Sequence, residues 1–384
     1  MNLTQERSTP APTTPANLPP GTGTAAGTPR TTAARRAGAL APRLITPVAL
    51  AAVLFVFGTM SPVFLTAGNL LGVLAQLSIL GLVATGLTIA VRAGGIDLSI
   101  GVALDLSALA AAALIYDGYR AWVAIVAGLL FGLLVGAINA ALIFLLRIPP
   151  FLATLSVWFI GTSVQQLLTG GGAPTYLSSR PVPEGFALLG HGWFLDTIDG
   201  TILILVLVAL GTGLLLSATR WGRAVTMAGE QPTAAAIGGL RVRRLGASAY
   251  ILCSLVAAFA GVVLASRTTS FVPGSGQSYL MDAIGAVFIG ATLSKFGRAT
   301  VPGTLVGVLL FALLSNGMNL IGLSFFWQGL GRGVVLLAIL VLGVLLTRRA
   351  GSPSALNALF RRPPPRTQSP KTSQPVAPTT EGSR

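Results

Sequence analysis

Residues 228–244 read AGEQPTAAAIGGLRVRR, a polar, basic interruption between apolar stretches that end near Ala218 and resume near Gly246. Pro232 suits the first turn of a helix, where a missing N–H costs little, and Thr233 to Ile237 continue that turn. Gly238 or Gly239 then ends it in a left-handed cap. A short helix held outside a bilayer among Arg220, Arg223, Arg241, Arg243 and Arg244 is the expectation. By itself it is an ordinary polar connector. The sharper reading is a docking helix that takes force from a partner, and the rest of the chain decides between the two.

Outward from this loop the chain is apolar. Its 384 residues are 53% hydrophobic and 9% charged, where soluble domains carry roughly 25% charged residues. Continuous apolar runs, rather than alternation, identify an all-α polytopic membrane protein and exclude a β-barrel. Ten spans are expected, at about 44–60, 70–91, 98–116, 121–146, 151–168, 200–218, 246–266, 279–295, 301–320 and 327–347. Residues 1–43 and 348–384, rich in Pro, Thr, Ala and Ser, lack the apolar content to fold and read as disordered tails. They flank a membrane domain over 44–347, whose polar loop is 219–245.

Charge sets the orientation. With the N-terminus in the cytoplasm and ten spans, both termini, Arg92, Arg147, the five arginines of the loop, Lys295 and Arg298 face the cytoplasm. Arg120, Arg180, Arg267, Asp117, Glu184, Asp196 and Asp199 face outward, and Arg332 lies inside the last span. The net charge of +15 is therefore topogenic and does not point to nucleic acid. Tyr116, Tyr119, Trp122, Trp193 and Trp327 fall at outer span ends, as an aromatic belt does. The one cysteine, Cys253, rules out a disulfide within the chain, and the one histidine, His191, has no companion for a zinc site. No nucleophile–base pair, HExxH or Walker A loop is present, so neither catalysis nor a cofactor is expected. If ATP drives this protein, another chain hydrolyses it.

Polar groups inside the spans are few. Asp97 precedes span three and is expected to accept backbone N–H bonds at the helix start; Asp282 lies near the start of span eight, close to the outer headgroups. Asp105 lies about 10 Å into span three, where a charge costs about 2.5–3.5 kcal/mol, so it should face a wet cavity or a polar partner, or be protonated. Gln76, Asn139, Gln165, Asn316, Asn319 and Gln328 can line a passage for a hydroxylated solute, or bond between helices. Gly128, Gly132 and Gly136, and again Gly303 and Gly307, let helices approach closely, within the chain or across a subunit contact.

Several segments, in order, resemble one known family. They are SPVFLTAGNLL (61–71), GGIDLSIG (94–101), PFLATLS (150–156), the 228–244 loop, MDAIGAVFIGAT (281–292) and SNGMNLIGL (315–323). From Leu44 to Leu346 the chain is similar to permease subunits of ribose/xylose-type sugar ABC importers, in the superfamily that also holds branched-chain amino-acid permeases. The resemblance implies a transmembrane permease domain over 44–347, with Gly95, Asp97, Ser99, Gly101 and Asp282 as signature positions. It also implies that residues 229–240 form a coupling helix to an ABC ATPase, with Gly229, Glu230, Pro232, Ala235, Gly238 and Gly239 at the contact. Asp105, Gln76, Asn139, Asn316 and Asn319 become candidates for the translocation path. The implied partners are an ATPase subunit (two copies or a fused tandem), a second permease subunit, an extracytoplasmic solute-binding protein and the lipid bilayer of the plasma membrane. The chain departs from the pattern at Leu280, where many members carry Glu, and at Asp105, where a small residue is common. Lys295, Phe296 and Ala299 also interrupt a stretch that is usually glycine-rich. The alternatives are a permease for an amino acid or nucleoside, an ion-coupled secondary transporter, with Asp105 as its only support, and a membrane-embedded structural protein.

Overall fold

The computed structural model describes residues 32–177, 180–194, 198–294 and 297–349. Asp196, Lys295, Phe296 and most of the two expected tails lie outside the described residues. The helices are α1 Thr32–Met60, α2 Ala67–Arg92, α3 Ile100–Tyr116, α4 Ala121–Ala140, α5 Pro150–Leu168, α6 Glu184–His191 and α7 Gly200–Ala218. They continue with α8 Arg220–Glu230, α9 Pro232–Ile237, α10 Val242–Thr268, α11 Ser275–Leu293, α12 Val301–Leu320 and α13 Phe325–Arg349. A π-helical turn, Ala141–Leu145, extends α4. Two short antiparallel ribbons complete the list: β1 Thr175–Tyr176 with β4 Ser270–Phe271, and β2 Trp193–Phe194 with β3 Ile198–Asp199.

The all-α polytopic architecture is as the sequence implied, and each expected span falls on a helix. Among the described residues, eight helices are long and apolar enough to cross a membrane. The other two expected spans fall on α3, apolar but only 17 residues long, and on α11. One boundary moves: α1 starts at Thr32, so residue 43, expected as the end of a tail, lies inside a helix.

Local chemistry accounts for the ends. Thr66, Thr219 and Thr300 cap α2, α8 and α12 by accepting N–H bonds from Asn69, Gly222 and Gly303. Pro150 and Pro232 occupy the first turns of α5 and α9, where no hydrogen bond is lost.

The centre of the bundle is α2, α3 and α10. The second half of α2, from Leu77 to Ala90, is buried without interruption, as expected of a helix that is apolar all round. Small residues permit the closest crossings. A Cβ on Gly132 of α4 would lie 2.0 Å from the Cβ of Ala258 on α10, and one on Gly136 would lie 2.9 Å from Cα of Ile251. Gly303 and Gly307 of α12 face Gly290 and Ala286 of α11 in the same way. Both glycine series therefore serve contacts within the chain. The large exposed side chains of α4, α5, α7 and α13, among them Leu130, Phe159, Leu210 and Leu337, form the outer apolar surface.

Candidate functional site

The interruption at 228–244 folds as a helical hairpin. Thr219 starts α8, whose inward side is made of small groups: Gly222, Val225, Thr226 and Ala228 are buried. Sequence reading missed this helix, although the threonine cap and the spacing of its small residues were there to be seen. The predicted short helix is α9, and it ends as expected, with Gly239 in the left-handed region at φ +81°. Of α9 only Ala235 is buried; Pro232, Thr233, Ala234 and Ala236 are exposed, and Ile237 is 84% exposed. Glu230 is the last residue of α8 and not part of α9.

Three turns meet behind this hairpin. Arg92, the last residue of α2, donates from Nε to Thr226 Oγ1 of α8 at 3.0 Å and from a guanidinium N–H to the Ala299 carbonyl before α12 at 3.2 Å. Gly94, at φ +92°, faces Gly229 backbone to backbone: a Cβ on Gly94 would lie 2.8 Å from the Gly229 carbonyl oxygen, and one on Gly229 would lie 2.4 Å from that of Arg92. Glu230 accepts from Arg298 at 2.6 Å, and a second guanidinium nitrogen closes on its other oxygen.

A second polar constellation surrounds the start of α3. Asp97 Oδ1 accepts from the Ser99 backbone N–H at 2.9 Å and from its hydroxyl at 2.7 Å, while Asn139 of α4 donates to Ser99 Oγ at 2.6 Å. The expected acceptor role of Asp97 is met, but Ser99 is the residue at the helix boundary. Gly95 lies against the Tyr250 hydroxyl, and Gly101 packs on the Gly276 backbone, with an added Cβ 2.6 Å from the Gly276 carbonyl oxygen.

Asp105 is only 2% exposed, and its partner is a helix. Its Oδ1 accepts from the Gly276 backbone N–H at 2.8 Å and the Ser275 hydroxyl at 3.0 Å, so a carboxylate from α3 caps the N-terminus of α11. Gln165 of α5 does the same two residues earlier, accepting from the Gly274 N–H at 3.0 Å. Of the three alternatives read from the sequence for Asp105, the polar partner is the one found.

The remaining path candidates separate. Asn316 exchanges two bonds with Asn69, at 2.9 and 3.0 Å, which joins α12 to the start of α2. Asn319 is exposed at the end of α12, and Gln76 is exposed on α2. Asp282 pairs with Arg332 of α13, an intramembrane partnership that joins two separately noted charges. On the opposite end from the hairpin, Arg267 pairs with Asp199 at 2.8 Å. Burial raises the Asp199 pKa, but hydrogen bonds from Thr201 and Arg267 outweigh it and hold the carboxyl below its ordinary value. Among the described residues no group of three or more His, Cys, Asp or Glu could hold a metal ion.

Comparison with known proteins gives a family and relatives. The family described as "Branched-chain amino acid transport system / permease component" matches residues 69–344. The ribose import permease protein of Bacillus subtilis (strain 168) is 37% identical over 290 residues, covering 76% of this chain and 88% of the relative. That of Escherichia coli (strain K12) is 34% identical over 301 residues, covering 77% and 91%. The fructose import permease protein of Rhizobium meliloti is 30% identical over 280 residues, covering 71% and 77%. No solved structure gives a significant match.

Proposed function

The chain belongs to the branched-chain amino acid transport system permease family, and from that premise we propose that it is the membrane subunit of an ATP-binding-cassette importer for a small hydroxylated solute, a monosaccharide. It is a multi-pass protein of the plasma membrane. Both termini and the α8–α9 hairpin face the cytoplasm, which places most of the Lys and Arg there. The chain has no phosphate-cradling loop, so a separate ATPase, in two copies or as a fused tandem, drives transport, with a second permease subunit and an extracytoplasmic binding protein completing the complex.

One observation carries the coupling role. A six-residue helix stands out of the bundle with nearly all of its surface uncovered, while its base is fixed by the buried Ala235 and by the Gly94–Gly229 contact. A mere connector needs no such base. Gly229, Glu230, Pro232, Ala235, Gly238 and Gly239 accordingly set the shape of the docking element, and Ile237 is its apolar tip.

The solute is neutral on this reading. Asp105, Asp282 and Arg332, charges set inside apolar helices, are each engaged by a partner in the chain, so a zwitterion would find little fixed charge to pair with there. Gln76 and Asn319 are the path candidates that remain exposed, whereas Asn139 and Asn316 hold helices together.

The test is reconstitution with the ATPase and binding protein. Ile237→Asp should leave the protein in the membrane at normal levels while abolishing ATP-driven sugar uptake and copurification of the ATPase. Normal uptake and normal copurification with Ile237→Asp would remove the coupling role from α9.

A further inference from the structure

We infer that Arg298 is a positioning residue that makes α11 and α12 move with the α8–α9 hairpin; this rests on the coupling role proposed above. The hairpin is fixed to the bundle in two different ways. On one side it touches the α2–α3 turn through backbone, at Gly94 and Gly229, where no side chain intervenes to flex. On the other side it reaches the turn between α11 and α12 through one two-pronged ionic contact, Arg298 on Glu230. A guanidinium fork on a carboxylate fixes direction as well as distance.

Arg92 spans both sides, bonding to Thr226 of the hairpin and to the Ala299 carbonyl, next in sequence to Arg298. Two arginines and one glutamate thus join three turns. The far end of α11 is held as well, by Asp105 of α3 and Gln165 of α5. Because α3 follows directly from the α2–α3 turn, α11 is tied to the hairpin at both ends. Its start is reached through Gly94, α3 and Asp105; its end is reached through Arg298. A displacement of the hairpin that passed only through α3 would shift one end of α11 and leave the other behind. The Arg298–Glu230 contact makes the two ends move together, and with them α12, which packs closely on α11 through Gly290, Gly303 and Gly307.

Pairs this exposed contribute little to stability, so removing this one should not unfold the bundle. Its effect belongs in the efficiency of coupling. The experiment uses the reconstituted full complex and measures solute imported per ATP hydrolysed for Arg298→Gln, Arg298→Lys and the swap Glu230→Arg with Arg298→Glu. For Arg298→Gln, ATPase copurification should stay at the wild-type level and hydrolysis within about twofold, while solute per ATP falls at least fivefold. Arg298→Lys should recover part of the loss, and the swap should recover more than either of its single changes. An unchanged ratio in Arg298→Gln overturns the inference, and so does loss of the bound ATPase in that variant, which would make Arg298 a docking residue. Ile237→Asp reports on docking independently. If it leaves uptake intact, the coupling helix itself is misassigned, whatever Arg298 does.

Discussion

Replacing Asp105 by Leu and by Asn separates hydrogen bonding from charge at the start of α11. Both substitutes are neutral, so the cost of holding a carboxylate among helices cancels when the two variants are compared with each other. Asn keeps an acceptor for the Gly276 N–H and the Ser275 hydroxyl, which Asp105 now engages at 2.8 and 3.0 Å. Leu keeps the bulk and removes the acceptor. An orphaned buried N–H costs about 1–3 kcal/mol, and loss of a neutral side-chain bond adds about 0.5–1.5 kcal/mol. Leu should therefore lie about 1.5–4.5 kcal/mol below Asn, which is roughly 10- to 2,000-fold in the folded-to-unfolded ratio. Unfolding of the purified protein by sodium dodecyl sulfate in mixed micelles, followed by circular dichroism, reads this difference. Uptake by the same variants at equal membrane expression should rank wild type, Asn, then Leu. If Leu and Asn unfold within about 0.5 kcal/mol of each other, the cap on α11 contributes nothing and the reasoning fails.

Three further outcomes follow from the packing and the ion pairs. Gly132→Val should leave little monodisperse protein on size-exclusion chromatography in detergent, because its Cβ would sit 2.0 Å from that of Ala258. Gly211→Val, where nothing lies within 4 Å of the added Cβ, should elute like wild type. Arg332→Leu should lower the melting temperature in detergent by stranding Asp282, and Asp282→Leu in the same chain should restore most of it, since an unpaired half-buried charge costs more than an apolar pair. For Asp199 the folded pKa is depressed, so its contribution is present above the unfolded value, near 3.9, and is lost as pH falls through the folded one. Asp199→Asn should be less stable than wild type at pH 7, and the difference in melting temperature between the two should stay constant from about pH 7 to 5 and shrink only in more acid buffer.

How much of this could be read from the sequence depended on the range of the interaction. The apolar helices were legible because continuous apolar runs have few alternatives, and α9 because Pro232 and Gly239 are local signals whose meaning needs no tertiary context. The acceptor role of Asp97 was legible for the same reason, as its partner is two residues away. Asp105 was singled out correctly as unusual, but its partners lie 170 and 171 residues further on, and nothing in the local pattern points to them. Asn69 and Asn316 are 247 residues apart, and only one of the two was noticed. The contact of Glu230 within the chain was not legible, because Arg298 lies 68 residues away and no local pattern places it there. The miss at α8 has another cause. Its buried side is Gly, Val, Thr and Ala, too weakly apolar to register against the arginines around it.

The acidic groups show how a membrane domain with so few basic side chains in its interior tolerates carboxylates. Asp97 sits just before α3, Asp105 caps α11 and Asp199 caps α7, each accepting from backbone N–H groups at a helix start. For Asp97 and Asp105 the backbone dipoles act as the positive partner, so neither brings a lysine or arginine into the bilayer. Asp199 also takes Arg267 from the end of α10, and Asp282, already within α11, takes Arg332 from α13. The arrangement bears on the cargo. A helix N-terminus pointing into a transporter is a ready site for the anionic part of a solute. At α11 that place is taken by the chain's own Asp105, reinforced by Gln165 on the Gly274 N–H. An incoming carboxylate or phosphate would have to displace a covalently tethered, pre-oriented carboxylate and would meet its charge on the way. A neutral polyol or sugar meets neither obstacle.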